Sequence, residues 1–481
     1  MARLGPSGGQ YCPLSQEQIA QIHQAALTVL ERTGLHVEHE RARDLFREGG
    51  ARIDGARVYL SEQMVDKALR LVPSRVLLAG RDPGNDIVLE GKRVYAGTGG
   101  SPTLILDPGA EAMRPATLSD LRQLVALADK LPNCDFVVMP IYPTDVPEPV
   151  VPVNRFYACL SSTTKHIMGG VDNVAGARNV VALGTLLAGS LEALQARPIV
   201  SAITSWMVSP LHLDTAVTDI LLEWCSYGLP VALSSAPMAG STSPITLAGS
   251  LVQLNAEQLS GIVLTQLARP GTPVLAGYIP GVADMRSGSY LGGTVEFGMM
   301  QAAAAQLAQF YRVPIYCSGG MSDAKIPDAQ SGYEKMATLL LAAMGGASYI
   351  HHAIGMVANM SAVSLEQAVI DDEIVGMALR VLRGVQVDPE TLATEAIARV
   401  GPGGHHLMDP LTLAYMRSEH FQPRISDRQN RAVWEAEGRR DTRARAAARV
   451  ARLLAERPAP LWAPETDLAL RSRFNILSEA V

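Results

Sequence analysis

Two stretches decide the fold: Pro273–Pro280 reads PVLAGYIP, and Pro314–Gly319 reads PIYCSG. Each is an almost unbroken apolar run that starts at a proline and ends at a proline or a glycine. A strand with one solvated face would alternate apolar and polar residues, so these runs predict strands that are buried on both faces, as in a parallel sheet. Five further runs share this apolar character: Asp135–Ile141, His166–Val171, Pro198–Thr204, Pro230–Pro237 and Ser348–Ile354.

A helical pattern separates each run from the next, and parallel strands joined in this way need right-handed crossovers. An eighth strand could come from residues 94–98 or from Thr103–Asp107. Eight such units within residues 94–390 predict an α/β protein with a (β/α)8 TIM barrel as its catalytic domain. A doubly wound open sheet is the alternative. Against it, Gly97–Gly100 (GTGG) lacks the spacing of the dinucleotide-binding motif and leads directly into Pro102.

The residues before the barrel zone have a different pattern. Ser15 and Gln18 form a capping-box motif, and Ser61 begins a second helical pattern. A short strand-like stretch lies between them, at residues 51–60. Residues 1–93 are therefore predicted to form an α-rich cap on the barrel.

The residues after the barrel zone are predicted to form a helical C-terminal extension, over residues 391–481. Within it, Gly401–His406 (GPGGHH) cannot be regular structure because of its glycines and proline. A charged, amphipathic helix of about Asp427–Glu456 follows, and a helix of this kind packs its apolar face across the barrel exterior.

Composition excludes several classes of protein. The chain has 481 residues and a formal net charge of −6, without the basic excess of a nucleic-acid-binding protein. Its five cysteines form no CxxC pair, so neither a disulfide framework nor a cysteine zinc site is expected. The candidate ligands for a zinc site of His, Cys and Glu are scattered along the chain. His405 and His406 are adjacent, a spacing that suits binding of one metal ion poorly, so we expect no metal ion.

Membrane and secretory signals are also missing from the sequence. No apolar stretch approaches the ~18 residues that a membrane span requires. The first ten residues contain no apolar core of a signal peptide. We therefore expect a cytoplasmic protein.

The stretch Ser318–Lys335 (SGGMSDAKIPDAQSGYEK) is the most informative polar segment. In a TIM barrel, chemistry takes place at the carboxyl ends of the strands, and this segment follows the sixth run. Gly319 and Gly320 permit backbone shapes that other residues resist. The alternative is an ordinary polar loop with a helix that starts near Asp328. The candidate functional residues of the segment are Asp323, Lys325, Gln330, Tyr333 and Glu334.

His351 and His352 lie inside the seventh run. Successive residues of a strand face opposite sides, so one histidine is expected to point into the barrel and the other toward the helices. The sequence leaves open which one points inward. A hydrogen-bonded structural histidine is the alternative for either residue.

Four motifs resemble signatures of the trimethylamine methyltransferase family, and their order and spacing also fit. They are Gly99–Asp107 (GGSPTLILD), Ser322–Lys335 (SDAKIPDAQSGYEK), Glu366–Val375 (EQAVIDDEIV) and Gly401–His405 (GPGGH). The chain contains only the twenty standard residues, so it resembles the branch without pyrrolysine, which includes glycine betaine:corrinoid methyltransferases.

The resemblance implies a TIM barrel, often in a homo-oligomer. It implies transfer of a methyl group from a tertiary or quaternary amine, such as a betaine, to the Co(I) state of a corrinoid (cobalamin). That corrinoid is carried by a separate partner protein that docks at the barrel mouth, and the enzyme itself holds no tightly bound cofactor.

A quaternary ammonium has no N–H to donate, so aromatic faces recognise it through cation–π attraction. Aromatic residues that follow or end the predicted strands are Tyr142, Trp206, Tyr278 and Tyr316. We expect Trp206 and Tyr278 to hold the ammonium, with Lys325 and His351 or His352 at the other end of the substrate. Core packing is the alternative for these aromatic residues. A substrate carboxylate would need a cation, and Lys325, His351, His352 or Arg286 could serve.

Two other functions remain open from the sequence. Lys325 follows the sixth run, and a barrel lysine can form an imine, so a Schiff-base aldolase or lyase is an alternative. A barrel that only binds amines or scaffolds a complex is the non-enzymatic alternative.

Overall fold

The computed structural model describes residues 2–455 and 461–477 of the chain. Seven parallel strands form one sheet in which spatial order follows chain order. Each lies inside one of the predicted runs. The strands are Val137–Val138 (β1), Ile167–Gly169 (β2), Val200–Thr204 (β3), Val231–Ser235 (β4), Val274–Tyr278 (β5), Ile315–Ser318 (β6) and Tyr349–His351 (β7).

Residues 94–98 close this sheet into a barrel. Ala96 bridges to Ile350 of β7, and Gly97 bridges to Phe136 beside β1, both in parallel. The Gly97 amide donates to the Ile350 carbonyl at 3.0 Å. The eighth position is therefore filled by residues 94–98, and the predicted (β/α)8 barrel is confirmed.

Eight helices surround the barrel, one after each strand position. They are Leu118–Lys130 (α1), Val151–Leu160 (α2), Val174–Ala188 (α3), Thr215–Ser226 (α4), Leu247–Ala268 (α5), Val295–Tyr311 (α6), Ala329–Met344 (α7) and Leu365–Arg383 (α8). A short helix, Leu191–Ala196, lies between α3 and β3. Asp328 caps α7, at the helix start that the alternative interpretation of the polar segment gave.

Side chains of the strands alternate between the barrel interior and the helix layer. Val138, Met168 and Tyr349 belong to the interior apolar cluster, whereas Val137 and Ile167 belong to the cluster beneath the helices. This burial of both faces explains why the strand sequences are continuously apolar.

A β-hairpin closes the amino-terminal end of the barrel. Its strands are Arg75–Leu78 and Ile87–Glu90, and their apolar side chains join the interior cluster. The Ala79 amide donates to Pro198 O, just before β3, and the Arg81 amide donates to Thr164 O, just before β2. The hairpin does not reach the opposite, carboxyl end of the strands, where TIM-barrel enzymes have their sites.

The N-terminal residues form three helices and a sheet shared with the barrel. Ser15 and Gln18 form the predicted capping box, and Ser61 caps the third helix. The helices are Gln16–Thr28, Glu40–Glu48 and Glu62–Leu71, and a π-helical turn covers Val29–Thr33. Strands Leu35–Val37, Arg52–Asp54 and Arg57–Tyr59 pair into one sheet with Met207–Val208 and His212–Leu213, which follow β3.

Two small sheets cover the carboxyl end of the barrel. One contains Met238–Ala239, Gly281–Ala283 and Tyr290–Leu291, which follow β4 and β5. The other contains Leu104–Leu106, Met113–Pro115, Met356–Val357 and Ala362–Ser364. The Thr103–Asp107 candidate for the eighth barrel strand therefore belongs to this covering sheet.

The C-terminal extension is helical, but its main helix differs from the prediction. The described helices are Thr394–Val400, Pro410–Tyr415, Arg431–Ala436, Thr442–Ala455 and Pro464–Arg473. The single helix expected over 427–456 is wrong because Gly438 and Arg439 take positive φ angles of 90° and 53° and break it. Its predicted end, Glu456, lies outside the described residues.

Helix Thr442–Ala455 packs on the barrel exterior against α1 and α8, as expected for an amphipathic helix. Among the described residues, no helix is both long and apolar enough to cross a membrane.

Candidate active site

A cavity of about 440 Å³ opens at the carboxyl ends of the barrel strands. Its volume lies in the range of small-molecule sites, and its position is the one at which TIM-barrel enzymes bind their substrates. The functional groups on its wall are Ser101, Tyr142, Arg155, Asp172, Tyr290, Tyr316, His351 and His352.

His351 ends β7 and faces the cavity. Its ring stacks on that of Tyr316, with centroids 3.9 Å apart. Its Nδ1 lies 2.5 Å from the Cys317 carbonyl. A carbonyl can only accept, so Nδ1 carries the proton and Nε2 is left as the acceptor. Burial, with a smaller contribution from His352, lowers the pKa of His351 well below its ordinary value, so the ring is neutral.

His352 also lines the cavity, so the expectation that one histidine would face the helices is wrong. The strand ends at His351, and His352 takes a left-handed φ of 66°, which turns its side chain back to the cavity. Its Nδ1 lies 2.7 Å from Ser318 Oγ. Burial, and next the positive charge of Lys335, lowers the pKa of His352 to about 3.

The GGSP motif is packed directly against these histidines. A Cβ atom on Gly99 would meet the His352 amide nitrogen at 2.8 Å and a ring carbon of each histidine at 3.1 Å or less. Only glycine permits this approach. Two residues later, Ser101 donates from its hydroxyl to the Met139 carbonyl at 2.8 Å and accepts from Arg155.

Arg155 is a cavity residue that the sequence analysis missed. It lies on α2, all ten residues of which are buried, and its own side chain is only 2% exposed. Its Nη2 donates to Ser101 Oγ at 2.6 Å, and its guanidinium lies 4.9 Å from the ring centroid of Tyr142. An arginine within the apolar helix sequence VPVNRFYACL was the available signal.

Two tyrosines and one aspartate also line the cavity. The Tyr142 hydroxyl donates to Asp172 at 3.3 Å. Burial raises the pKa of Asp172. Tyr290, which the sequence analysis also missed, has a buried hydroxyl that finds no hydrogen-bond partner within the described parts of the chain. Burial raises the pKa of Tyr290, so its phenol is neutral.

Of the expected aromatic residues, Tyr142 and Tyr316 reach the cavity, and Trp206 and Tyr278 do not. Tyr278 ends β5 on its outer face, and its hydroxyl donates to Asn255 of α5 at 2.8 Å. Trp206 packs closely on Gly261 of the same helix and is fully buried. Both fill the layer between barrel and helices: strand alternation turns Tyr278 outward, and Trp206, which follows the end of β3, packs against α5.

The polar segment after β6 forms its own hydrogen-bond network. The Glu334 carboxylate accepts from Ser322 Oγ and the Asp323 amide, each at 2.8 Å, and from Gln330 Nε2 at 2.9 Å. Asp323 accepts in turn from the Gly292 amide at 2.9 Å. Asp323, Gln330 and Glu334 shape the loop and lie off the cavity wall.

The remaining expected cations and Tyr333 point to solvent. Lys325 is exposed, and its ammonium donates to the carbonyl of Asp323 at 2.6 Å. Tyr333 is 64% exposed, and the Arg286 side chain is 92% exposed beside Asp284. None of these residues lines the cavity.

A buried ion pair joins two of the quoted motifs. Lys335 Nζ lies 3.0 Å from Asp371 Oδ2, and both side chains are 0% exposed. Lys335 also donates to the Gly320 carbonyl at 2.6 Å, and Asp371 accepts from the Gly355 amide at 2.7 Å. The pair therefore fixes the loops after β6 and β7 on either side of the histidines.

One group of possible metal ligands occurs among the described residues, away from the cavity wall. His36, Glu38 and His212 bring their ligand atoms within 4.8 Å of one another on the sheet that the N-terminal residues share with the barrel. His36 and Glu38 are partly exposed and already contact each other.

Comparisons with known proteins agree over nearly the whole chain. The sequence model of the family described as trimethylamine methyltransferase (MTTB) matches residues 6–475. A glycine betaine methyltransferase of Desulfitobacterium hafniense (strain Y51) is 35% identical over 466 residues, which cover 96% of each chain. A trimethylamine methyltransferase MttB of D. hafniense (strain DSM 10664 / DCB-2) is 36% identical over 434 residues, 90% of this chain and 87% of the relative.

The solved structures extend the likeness to the fold. The monomethylamine methyltransferase MtmB of Methanosarcina barkeri superposes with a TM-score of 0.51 over 94% of this chain and 95% of that one. Its sequence is only 12% identical, so the likeness concerns the fold alone. Family match, identity and fold agree: the chain belongs to the trimethylamine methyltransferase family and is a methyltransferase.

Proposed function

We propose that the barrel-mouth cavity takes a methyl group from a quaternary methylated amine and passes it to the Co(I) corrinoid of a partner protein. The observation that carries the proposal is the cavity wall itself, where tyrosines and two neutral imidazoles surround the space. The proposal also draws on the relatives, one of which is named for glycine betaine and others for trimethylamine.

The wall suits a substrate that is already a cation. Tyr142, Tyr290 and Tyr316 present aromatic surface, which attracts an ammonium that has no N–H to donate. In this proposal they take the role that the sequence analysis gave to Trp206 and Tyr278. A quaternary nitrogen leaves as a neutral amine without receiving a proton, so the site needs no general acid.

The ionisation of the histidines agrees with that chemistry. A general acid should have a pKa near the working pH. The pKa of His352 is about 3, and that of His351 is also far below 6.5, so neither holds a proton to give at neutral pH. A tertiary amine would have to enter protonated and keep that proton in a desolvated cavity, whereas a quaternary amine cannot lose its charge, so we expect quaternary amines to be the better substrates.

The tasks left to the protein are orientation and removal of water. His351 is held by its stack on Tyr316 and its hydrogen bond to Cys317 O, and His352 is held by Ser318. These fixed rings shape one side of the cavity, so that the methyl carbon of a bound substrate points to the mouth. A Co(I) corrinoid supplies the nucleophile that displaces the amine from that carbon.

The acceptor approaches from outside because the cavity opens at the barrel mouth. The proposal therefore includes a separate corrinoid-binding protein that docks on the loops after the strands. We also propose that this chain forms a homo-oligomer. Light scattering would measure the molar mass of the assembly directly.

Visible absorption spectroscopy of a reduced Co(I) corrinoid protein tests the reaction. With enzyme and a quaternary amine from a panel of glycine betaine, carnitine and choline, the Co(I) band should disappear as methyl-Co(III) grows. Trimethylamine should react more slowly than the best quaternary amine. No reaction with any of these amines, with a corrinoid protein that is methylated by another donor, would refute the proposal.

The Schiff-base alternative is not favoured. An imine-forming lysine works from a desolvated position beside the substrate, whereas Lys325 is exposed and lies off the cavity wall. Borohydride should trap no carbonyl compound on Lys325, and a Lys325→Ala variant should keep its methyl transfer. The non-enzymatic alternative is excluded by membership of a methyltransferase family.

A further inference from the structure

Arg155 is a buried cation that forms no ion pair among the described residues. No carboxylate lies within ion-pair distance of its guanidinium in the described parts of the chain, and its one protein hydrogen bond goes to Ser101 Oγ. Its Nε is completely buried and has no hydrogen-bond partner there. The arginine is nevertheless on the wall of the cavity.

Such an arrangement is costly for the protein alone. Removing a charge from water without pairing it carries a penalty of several kcal/mol. The planar guanidinium offers parallel donors that match the two oxygens of a carboxylate. A carboxylate that enters the cavity would both neutralise Arg155 and accept its free N–H groups.

The neighbours of Arg155 favour a ligand with two opposite charges. Tyr142 lies between Arg155 and Asp172, with its ring beneath the guanidinium and its hydroxyl donating to the aspartate. One end of this part of the wall is therefore positive and the other negative. A simple alkylammonium would satisfy only the negative end.

We infer that Arg155 is the residue that binds a carboxylate carried by the same molecule as the methylated ammonium. The substrate is then a betaine-type zwitterion, and Ser101 holds Arg155 in position for it. This inference rests on the proposed function for the identity of the site, but binding alone tests it. The other candidates do not bind the carboxylate in this inference. Lys325 and Arg286 are exposed, and the two histidines are neutral.

Isothermal titration calorimetry of the enzyme without any corrinoid measures the affinity for each ligand directly. Glycine betaine should bind the wild-type enzyme at least about 10-fold more tightly than choline or tetramethylammonium, which lack the carboxylate. The methyl ester of glycine betaine should bind as weakly as choline. Equal affinities for the acid and its ester would overturn the inference, whether or not any variant folds.

Two variants then assign the effect to the residue. Arg155→Gln should weaken glycine betaine binding by about 10- to 100-fold and leave choline binding nearly unchanged. Arg178→Gln is the matched control. Arg178 of α3 is exposed and pairs with Glu223 of α4, so this variant should bind both ligands as the wild type does. Undiminished betaine binding by a folded Arg155→Gln protein would overturn the inference. Arg155-dependent betaine binding without any methyl transfer would instead refute the proposed function and leave the inference standing.

Discussion

At the scale of single residues, the environment of the histidine pair decides its chemistry. His351 and His352 are adjacent in sequence, yet the left-handed backbone at His352 brings both rings to one cavity, with centroids 3.8 Å apart. Two protonated rings so close together and so deeply buried would repel each other. Both therefore remain neutral, and they act through shape and hydrogen bonding.

Replacing His352 by alanine should reduce the rate of methyl transfer by about 100-fold, the effect of a small misplacement of reacting groups. The ring fills part of the cavity wall, and its loss would let the substrate and water move. Single-turnover consumption of a Co(I) corrinoid protein measures the rate, and circular dichroism establishes that the variant is folded. A folded variant with the wild-type rate would exclude His352 from the site.

The depressed histidine pKa values predict a particular dependence on pH. Methyl transfer should show no inflection that belongs to His351 or His352 between pH 5 and 8, because both rings are neutral throughout. A bell-shaped profile with a histidine limb that disappears in His352→Ala would contradict this assignment.

The same pKa shift predicts how stability depends on pH. The unfolded imidazole of His352 titrates near 6.5 and the folded one near 3, so the unfolded state binds more protons between these values. The free energy of unfolding should therefore fall as pH decreases from 6.5 toward 3, by about 1.4 kcal/mol per pH unit for this residue. For His352→Ala, the free energy of unfolding should fall less steeply over that pH range. Urea denaturation at a series of pH values measures both slopes.

Sequence patterns anticipated some of the residues that line the cavity and missed others for a physical reason. His351, His352 and Tyr316 lie on predicted strands, so their position at the barrel mouth could be anticipated. Arg155 and Tyr290 come from a helix and a covering sheet, and their approach to the cavity depends on packing that periodicity does not reveal. Trp206 and Tyr278 have the right residue type, but strand alternation turns Tyr278 toward α5, and Trp206, just after β3, packs on the same helix.

At the scale of elements, the ion pair of Lys335 and Asp371 explains why two distant motifs are needed. It joins α7 to α8 and holds a backbone group of each adjacent loop, at Gly320 and Gly355. These two motifs therefore position the loops after β6 and β7 beside the cavity.

Breaking this pair from one side should be strongly destabilising. Lys335→Met leaves Asp371 as a buried, unpaired charge, and the expected loss is about 3–5 kcal/mol in the free energy of unfolding. Lys335→Met combined with Asp371→Leu should be less destabilised than Lys335→Met alone. Urea denaturation of the three proteins gives the comparison, and a loss below about 1 kcal/mol in the single variant would show that the pair is not buried as described.

Gly99→Ala tests the contact between the loop after the closing segment and the histidines. The added methyl group has no room beside the His352 amide, so we expect a loss of about 1–3 kcal/mol in stability together with reduced methyl transfer. Gly332→Ala is the control, because its Cβ would meet nothing within 4 Å on α7, and it should gain about 0.5–1 kcal/mol. An active, fully stable Gly99→Ala protein would contradict the close approach.

The elements themselves were largely predictable because the barrel strands are short and buried on both faces, which leaves a clear apolar signature. Residues 94–98 and Thr103–Asp107 were both candidates for the eighth strand position, and the sequence did not distinguish them. In the structure residues 94–98 fill this position through isolated bridges. The long C-terminal helix failed as a prediction because the backbone turns at Gly438 and Arg439, in the polar stretch between the apolar positions near Val433 and those near Val450.

At the scale of the whole molecule, the segments before and after the barrel pack on its amino-terminal end and its exterior. The N-terminal hairpin fills the opposite end, and helix Thr442–Ala455 is tied to α8 by Arg443, which lies 2.8 Å from Glu366. Glu373, also on α8, accepts hydrogen bonds from the amides of residues 424–426. These contacts attach the C-terminal segment to α8 on the barrel exterior.

If methyl transfer takes place in this cavity, a side chain that fills the cavity should abolish the reaction. Ser234 of β4 lines the cavity, and a Ser234→Phe side chain would occupy the space of the substrate. Ser74→Phe, in an exposed position beside the hairpin at the opposite end of the barrel, is the control. In a single-turnover experiment with a Co(I) corrinoid protein and glycine betaine, the account predicts that Ser234→Phe loses methyl transfer while Ser74→Phe retains it. Wild-type transfer by a folded Ser234→Phe protein would contradict the account.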